Sequence, residues 1–244
     1  SITGSGGMAI ASSLGIKFVQ EVIAGTKAIE VFLPETDVAI ELGGEDAKIT
    51  YFQGGIEQRM NGTCAGGTGS FIDQMAALLQ TDATGLNNLA KNHKTIYPIA
   101  ARCGVFAKTD VQPLLNQGAA KEDIAASVLQ AVVIQTISGL ACGRPIKGNV
   151  AFLGGPLHFL SELRNRFIET LELKDEEIIF PNNSEVFIAL GASLYSIEET
   201  PLQFLELRNK IKNVDVSSLS ESETLKPLFE NEEELRKFIQ RHEK

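Results

Sequence analysis

Pairs of glycines that directly follow apolar runs are the feature that most constrains the fold of this chain. Eight of the 22 glycines fall between Gly43 and Gly69, and three pairs, Gly43-Gly44, Gly54-Gly55 and Gly154-Gly155, end β-prone runs. Glycine at a strand end allows a sharp turn and leaves backbone N–H groups open to an anion. A plain hairpin turn fits each pair as well, because none matches the P-loop or the dinucleotide fingerprint.

The hydrophobic pattern predicts an α/β body. Short β-prone runs at 38–42, 47–52 and 56–60 predict a meander of three strands, and helical spacing follows at 69–79 and 121–140. Farther along, a strand at 149–153 precedes a helix at 158–171, and a strand at 177–181 precedes a helix at 186–197. An amphipathic helix is also predicted at 18–29. Strands that first form hairpins and later alternate with helices imply a mixed sheet with flanking helices.

Composition and charge exclude several classes of protein. The chain carries 31 acidic and 22 basic residues, a formal charge of -9, which argues against a nucleic-acid partner. No apolar run reaches the roughly 18 residues of a membrane span, and the start resembles no signal peptide. The three cysteines, Cys64, Cys103 and Cys142, form no disulfide framework. We therefore expect a soluble cytoplasmic protein.

Two of the cysteines precede helical segments, a position that suits metal ligation. Cys64 lies just before the glycine-rich start of the 69–79 helix, and Cys103 before a second helical stretch. A helix N-terminus favours a thiolate over a thiol. Two buried structural cysteines remain the alternative, since there is no Cys-x-x-Cys and a cluster takes four thiolates. A twofold dimer would supply the missing pair. Cys142 is expected to be a core residue.

Charged residues beside the first glycine pair are candidates for a nucleotide site. Asp46 and Lys48 are close enough to Gly43-Gly44 to flank a phosphate or to organise water around Mg²⁺. A solvated hairpin would place the same two residues in water. Glu41 alternates with its apolar neighbours, so it faces either solvent or a cleft.

These motifs together resemble a known family. The segment Asn61-Gly-Thr-Cys64-Ala-Gly-Gly-Thr-Gly-Ser-Phe-Ile-Asp-Gln-Met75, with Cys103-Gly-Val-Phe-Ala-Lys-Thr-Asp110 and Leu42-Gly-Gly-Glu-Asp-Ala-Lys48, resembles the activator ATPases of 2-hydroxyacyl-CoA dehydratases and the ATPase subunits of benzoyl-CoA reductase. The resemblance runs from about residue 3 to 196. It is greatest for the long, multi-domain members.

The resemblance implies an actin-like (ribonuclease H-like) ATPase fold and a redox function. Family members are dimers that share one 4Fe-4S cluster, here carried over to Cys64 and Cys103, and couple ATP to one-electron transfer into a dehydratase component. Gly43 and Gly44, with Asp46 and Lys48 beside them, match the second phosphate loop. Gly154 and Gly155 match the adenosine-side loop. ATP or ADP with Mg²⁺ and a reduced ferredoxin or flavodoxin are the implied cofactors and donor.

Departures from the family pattern define the expected domains. The family's first phosphate loop, an Asp-x-Gly-Ser-Thr-like hairpin, is absent from these 244 residues. We therefore expect an N-terminally truncated lobe at 1–36, a second actin-like lobe at 37–196 and a charged helical linker at 197–244. In addition, Glu41 stands where an aspartate is common, and Lys108-Thr109-Asp110 replaces a more acidic run. This polypeptide alone is expected to hydrolyse ATP poorly.

Two other functions fit the same sequence less fully. A small-molecule kinase of the actin-like superfamily would need a catalytic aspartate that no motif marks. A non-catalytic docking scaffold would retain the actin-like fold only to bind a dehydratase subunit, without ATP hydrolysis or electron transfer.

Overall fold

The computed structural model of the protein describes residues 1–62, 66–100, 103–213 and 227–242. Within them lie five strands, β1 to β5, and eleven α-helices, α1 to α11. The strands are Val38–Leu42, Ala47–Tyr51, Glu57–Met60, Val150–Leu153 and Ile178–Ile179. The helices are Gly7–Leu14, Glu21–Phe32, Gly69–Leu78, Ala83–Ala90, Gly104–Asn116, Lys121–Thr136, Gly155–Phe159, Ser161–Leu171, Phe187–Leu194, Phe204–Lys212 and Glu232–His242.

The five strands form one mixed sheet in the order β3-β2-β1-β4-β5. The meander is antiparallel, with Ile40 opposite Ile49, and β4 and β5 add in parallel on the other side of β1. The predicted mixed sheet with flanking helices is therefore confirmed. Because β1 and β4 are adjacent and parallel, their carboxyl ends lie at the same edge of the sheet, which brings the glycine turns after them together.

Alternate residues of the central strands serve two separate cores, which makes three layers. Ile40 and Phe152 point into the large core, which the helices α3, α4, α6 and α8 cover. Ala39 and Ala151 point the other way, toward α2 and the start of α9. This period of two is the strand periodicity that the sequence shows.

The helices α2 and α9 cross at very short range because each has a glycine at the contact. A Cβ on Gly191 would lie 1.8 Å from the carbonyl oxygen of Ala24, and a Cβ on Gly25 would lie 2.7 Å from Ile188. Residues 1–36 are thus packed closely on the sheet through α2. The division of the chain at 36 and 196 stays a prediction.

Several helix boundaries differ from the sequence prediction, among them the end of the helix expected at 186–197, which stops at Leu194. The helix expected at 158–171 starts earlier, at Gly155, and is broken at Leu160, whose φ of -105° and ψ of 89° are not helical. The helix expected at 121–140 is α-helical to Thr136 and then continues as a π-helical turn, Ile137–Ala141. The first amphipathic helix starts at Glu21 instead of residue 18, because Phe18 makes a strand-like bridge with Ile2.

One helical stretch in the described part of the chain, Lys121–Ala141, is long and apolar enough to cross a membrane by length and composition. In this fold 67% of its most apolar window is buried inside the protein. The stretch packs against the sheet and the neighbouring helices as the central core helix.

Candidate functional site

The candidate site is a cleft of about 390 Å³ at the carboxyl ends of β1 and β4. Gly43-Gly44 and Gly154-Gly155 form two of its walls. Residues from the start of the chain, from α2 and from the turn before α9 complete it: Thr3, Gly4, Glu21 and 184–189.

The two glycine turns contact each other directly. Gly154 has a φ of +90°, and a Cβ there would lie 2.0 Å from the carbonyl oxygen of Leu42, the last residue of β1. Its N–H donates to the carbonyl oxygen of Ser184 at 2.9 Å. Only glycine combines this backbone conformation with so close an approach. Gly154 is therefore required by the fold itself.

No steric contact within the described residues explains the glycines at Gly44 and Gly155. A Cβ on either residue would meet no atom within 4 Å. Neither has a positive φ, so the protein's own packing does not demand glycine at these positions. The open space lies on the cleft side, where a phosphate chain could approach the backbone without a side chain in the way. The residues present therefore fit a nucleotide phosphate.

A buried lysine organises the acidic side chains beside the first turn. Lys48 is 2% exposed, and its Nζ lies 3.0 Å from Glu21 Oε2, 3.0 Å from Glu41 Oε1 and 2.7 Å from Asp46 Oδ2. Burial lowers the pKa of Lys48, but the charges and hydrogen bonds of the three carboxylates outweigh it and raise that pKa above its ordinary value. Lys48 is thus an internal counter-ion under the turn.

Glu41 is the most deeply buried of the three carboxylates. Burial raises the pKa of the Glu41 carboxyl above its ordinary value, and the charge of Lys48 opposes that rise. Asp46 is the most exposed, at 36% of its side chain. All three carboxylates line the cleft, and Asp46 is the one most open to a ligand there.

Sequence reasoning missed Glu21, which lies 27 residues before Lys48. An acidic residue in the first turn of a helix is usually explained by the helix dipole, so no local signal marks its contact with Lys48. Thr3 and Gly4 also line the cleft and were not among the predicted site residues, although a glycine-rich segment before a helix is a visible signal in the sequence.

The cysteines fall in different places. Cys64 lies outside the described residues. Cys103 is the N-cap residue of α5 and is half-buried with a free thiol. Cys142 was expected in the core, but it is exposed. It caps the π-helical turn with a φ of 46°, and that left-handed turn directs the chain out of the core at this point.

Cys103 fits the role of one thiolate ligand of a metal cluster. It has no disulfide, it is partly open to solvent, and no acidic side chain occupies the first turn of α5. Gly104, the next residue, lies close to Phe71 and Gln74 of α3, with 3.7 Å from its Cβ position to each. The N-terminus of α5 therefore packs against the helix that follows the Cys64 segment. Across the ranges that the structure describes, no group of three or more His, Cys, Asp or Glu side chains could hold a metal ion.

The one histidine near the cleft does not form a catalytic relay. His158 Nδ1 lies 2.8 Å from Ser184 Oγ and 3.0 Å from Glu185 Oε2. Both contacts use the same ring nitrogen, whereas a serine-histidine-acid relay needs one partner on each nitrogen. This cluster therefore holds the turn before α9 in place.

A three-layer fold with a cleft between two glycine turns at the carboxyl ends of β1 and β4 is the architecture of an actin-like ATPase lobe. The structure of the Acidaminococcus fermentans (R)-2-hydroxyglutaryl-CoA dehydratase component A is similar, with a TM-score of 0.71 and 29% identity over 79% of this chain and 73% of that one. The activator of the 2-hydroxyisocaproyl-CoA dehydratase from Clostridium difficile, solved with bound ADPNP, gives a TM-score of 0.66 and 29% identity over 82% and 71%.

The chain belongs to the BadF/BadG/BcrA/BcrD ATPase family, whose model matches residues 1–196. Among curated relatives, the 2-hydroxyisocaproyl-CoA dehydratase activator of Clostridioides difficile is 30% identical over 201 residues, which cover 81% of this chain and 72% of that protein. The resemblance drawn from the sequence is thereby confirmed at the level of family and fold.

Proposed function

We propose that this chain is an ATP-dependent electron-transfer activator of a 2-hydroxyacyl-CoA dehydratase-like component. Relatives named as activators of such dehydratases support the proposal. The single observation on which the proposal rests is that the Gly43-Gly44 turn is hydrogen-bonded directly to the start of α3, the helix after the Cys64 segment. Gly69 N–H donates to Gly43 O at 3.0 Å, and Ser70 N–H donates to Gly44 O at 2.7 Å.

The cleft is proposed to take ATP or ADP with Mg²⁺. The open backbone at Gly44 and Gly155 faces the phosphates, and Asp46 contributes a carboxylate toward the cation, which usually keeps several waters and one or two protein ligands. Lys48 acts indirectly in this scheme. It neutralises Glu41 and Glu21 so that a polyanion meets less repulsion at the turn.

Cys64 and Cys103 from each of two copies are proposed to hold one 4Fe-4S cluster at the axis of a homodimer. When bound, such a cluster accepts and releases a single electron at low potential. The donor would be a reduced ferredoxin or flavodoxin, and the acceptor the dehydratase component, in the cytoplasm. The thiol of Cys103 would be ionised there, since the thiolate is the ligand form.

The connection between the sites follows from main-chain contacts. The turn that would touch phosphate accepts two hydrogen bonds from the start of α3, and α3 in turn packs against Gly104 beside Cys103. A shift of the Gly43-Gly44 turn on nucleotide binding would therefore move the start of α3. Cluster exposure and hydrogen bonding, which set a reduction potential, respond to such movements.

Nucleotide binding is tested with alanine at the two open glycines. Gly44→Ala and Gly155→Ala should fold normally and bind ATP or ADPNP at least about tenfold more weakly by titration calorimetry, a loss of about 1.4 kcal/mol. Gly62→Ala is the matched control, because its Cβ also meets no atom within 4 Å and it does not line the cleft. Equal affinity of all four proteins would overturn the nucleotide assignment.

The cluster is tested by anaerobic reconstitution with iron and sulfide. We expect about four irons per dimer, a loss of this iron in Cys103→Ser, and full retention in Cys142→Ser, the matched control. Protein that binds nucleotide but never iron would favour the kinase alternative. Protein that binds neither would favour the docking scaffold.

A further inference from the structure

The first turn of α5, which presents Cys103, has little apolar anchoring. In this helix Ala107 and Val111 are buried, and Leu114 and Leu115 near its other end pack partly buried against the core. The residues next to the cysteine point outward, since Val105 is 69% and Phe106 is 65% exposed. Burial of one alanine and one valine contributes only a few kcal/mol. Besides the contact of Gly104 with α3, the direction of the helix start therefore depends on polar contacts.

A polar contact closes the segment that contains Cys103. Asp110 Oδ2 accepts a hydrogen bond from the backbone N–H of Ala100 at 2.7 Å. Ala100 lies three residues before the cysteine and Asp110 seven residues after it, so this bond joins the chain on both sides of Cys103. A carboxylate that accepts a backbone N–H forms one of the stronger protein hydrogen bonds.

The chain before Ala100 is itself fixed to the core helix α6. The Asp123 carboxylate accepts the N–H groups of Lys94 at 2.6 Å and Thr95 at 3.0 Å, and Ser127 Oγ accepts the N–H of Tyr97 at 2.7 Å. Three backbone groups of this irregular segment are thus held by buried side chains. Asp110 extends the same attachment to α5.

We infer that Asp110 is a positioning residue for Cys103. Through Ala100 it holds the start of α5 against a segment that α6 fixes, and so it sets the exposure and direction of the Cys103 thiol. The inference rests on the proposed function in one respect, namely that Cys103 is a cluster ligand. The effect of Asp110 on the exposure of the Cys103 thiol can be measured in protein that contains no cluster.

The test is the alkylation rate of Cys103 in a protein whose other cysteines are replaced, Cys64→Ser with Cys142→Ser. Asp110→Ala should raise the rate with iodoacetamide at least about tenfold, because the hydrogen bond to a charged acceptor is lost. Asp110→Asn keeps an oxygen acceptor for Ala100 and should stay within about threefold of the parent, the cost of a neutral acceptor. Thr109→Ala, an exposed neighbour bonded within the helix to Val105 O, should not change the rate.

A folded Asp110→Ala variant that reacts at the parental rate would overturn the inference. So would an asparagine variant that reacts as fast as the alanine variant, because the acceptor would then not matter. If Asp110→Ala does not fold, hydrogen exchange of the Ala100 amide in the parent protein tests the inference instead. We expect at least about tenfold protection of this amide, and unprotected exchange would contradict its hydrogen bond with Asp110.

Iron assays separate this inference from the proposed function. In reconstituted protein, Asp110→Ala should lose iron several-fold faster on dilution than Thr109→Ala does. If Cys103→Ser keeps all its iron, the proposed cluster ligand is wrong, yet the alkylation rates still decide the role of Asp110. If Asp110→Ala and the parent are alkylated at the same rate while Cys103→Ser loses its iron, Cys103 is supported as a cluster ligand and the positioning role of Asp110 is wrong.

Discussion

Lys48 and Glu41 are direct partners across the antiparallel pair of β1 and β2, and Lys48 Nζ lies 3.0 Å from Glu41 Oε1. Both side chains are largely shielded from water under the Gly43-Gly44 turn. Glu21 reaches the same ammonium from α2. The buried ammonium of Lys48 therefore connects the sheet, the Gly43-Gly44 turn and the helix α2.

Replacing Lys48 by methionine should be strongly destabilising. The change keeps the length of the side chain but leaves Glu41 buried without a counter-charge, a loss of about 3–5 kcal/mol in the free energy of unfolding. Lys17→Met is the matched control, because the Lys17–Glu199 pair is exposed and screened by water, so its loss should have little effect on stability. Urea denaturation measures both, and similar midpoints for the two variants would contradict the counter-ion role.

Two adjacent glycines should respond very differently to alanine. Gly154→Ala forces a side chain into a positive φ and against the carbonyl of Leu42, which costs about 1–3 kcal/mol for the backbone conformation alone. Gly155→Ala places its methyl group in open space and should change the free energy of unfolding by less than about 0.5 kcal/mol. Thermal denaturation of the pair is the measurement. Equal melting temperatures would mean that the two turns do not touch as described.

The strands around the cleft were predictable because their signals are local. Alternating apolar residues and the glycines that follow them mark the run at 38–42 and the turn after it, and the structure places β1 there without a shift. These inferences need only short-range periodicity and turn chemistry.

The features that sequence reasoning missed depend on distant partners. The contact of Glu21 with Lys48 joins residues from different layers, and no spacing rule relates them. The break at Leu160 arises inside a sequence with helical spacing. Cys142 looked apolar enough for the core, but the π-helical turn before it shifts the register of the helix end and leaves the thiol outside.

Acid should weaken the attachment of the 94–97 segment through Asp123. The backbone N–H groups of Lys94 and Thr95 stabilise the ionised carboxyl and lower the pKa of Asp123. A carboxyl whose pKa is lower in the folded state contributes stability above its unfolded pKa of about 3.9 and loses it as the pH falls through the folded pKa.

Asp123→Asn tests this pH dependence. The variant should be less stable than the parent at pH 7, and the difference should stay constant down to about pH 5 and shrink below about pH 4, where the unfolded parent binds a proton more readily than the folded parent does. Urea midpoints at a series of pH values give the difference directly. A gap between the two proteins that is the same at pH 3 and pH 7 would show that the charge of Asp123 does not matter.

Glycine at position 142 should stabilise the protein. Cys142 has a φ of 46° and ψ of 44°, a left-handed conformation that costs a residue with a Cβ roughly 1–2 kcal/mol. Glycine avoids this cost but loses more entropy on folding, about 0.5–1 kcal/mol, so Cys142→Gly should gain up to about 1 kcal/mol.

Cys142→Val is the opposite control for that prediction, because a β-branched side chain tolerates the left-handed region poorly. The urea midpoints should rank glycine above cysteine and cysteine above valine, with an unchanged dependence on urea concentration. The Cys142 thiol donates a weak hydrogen bond to the carbonyl oxygen of Gly139 at 3.3 Å, so loss of the thiol itself should have little effect. A valine variant as stable as the parent would show that the left-handed turn can relax, and the strain assigned to Cys142 would then be absent.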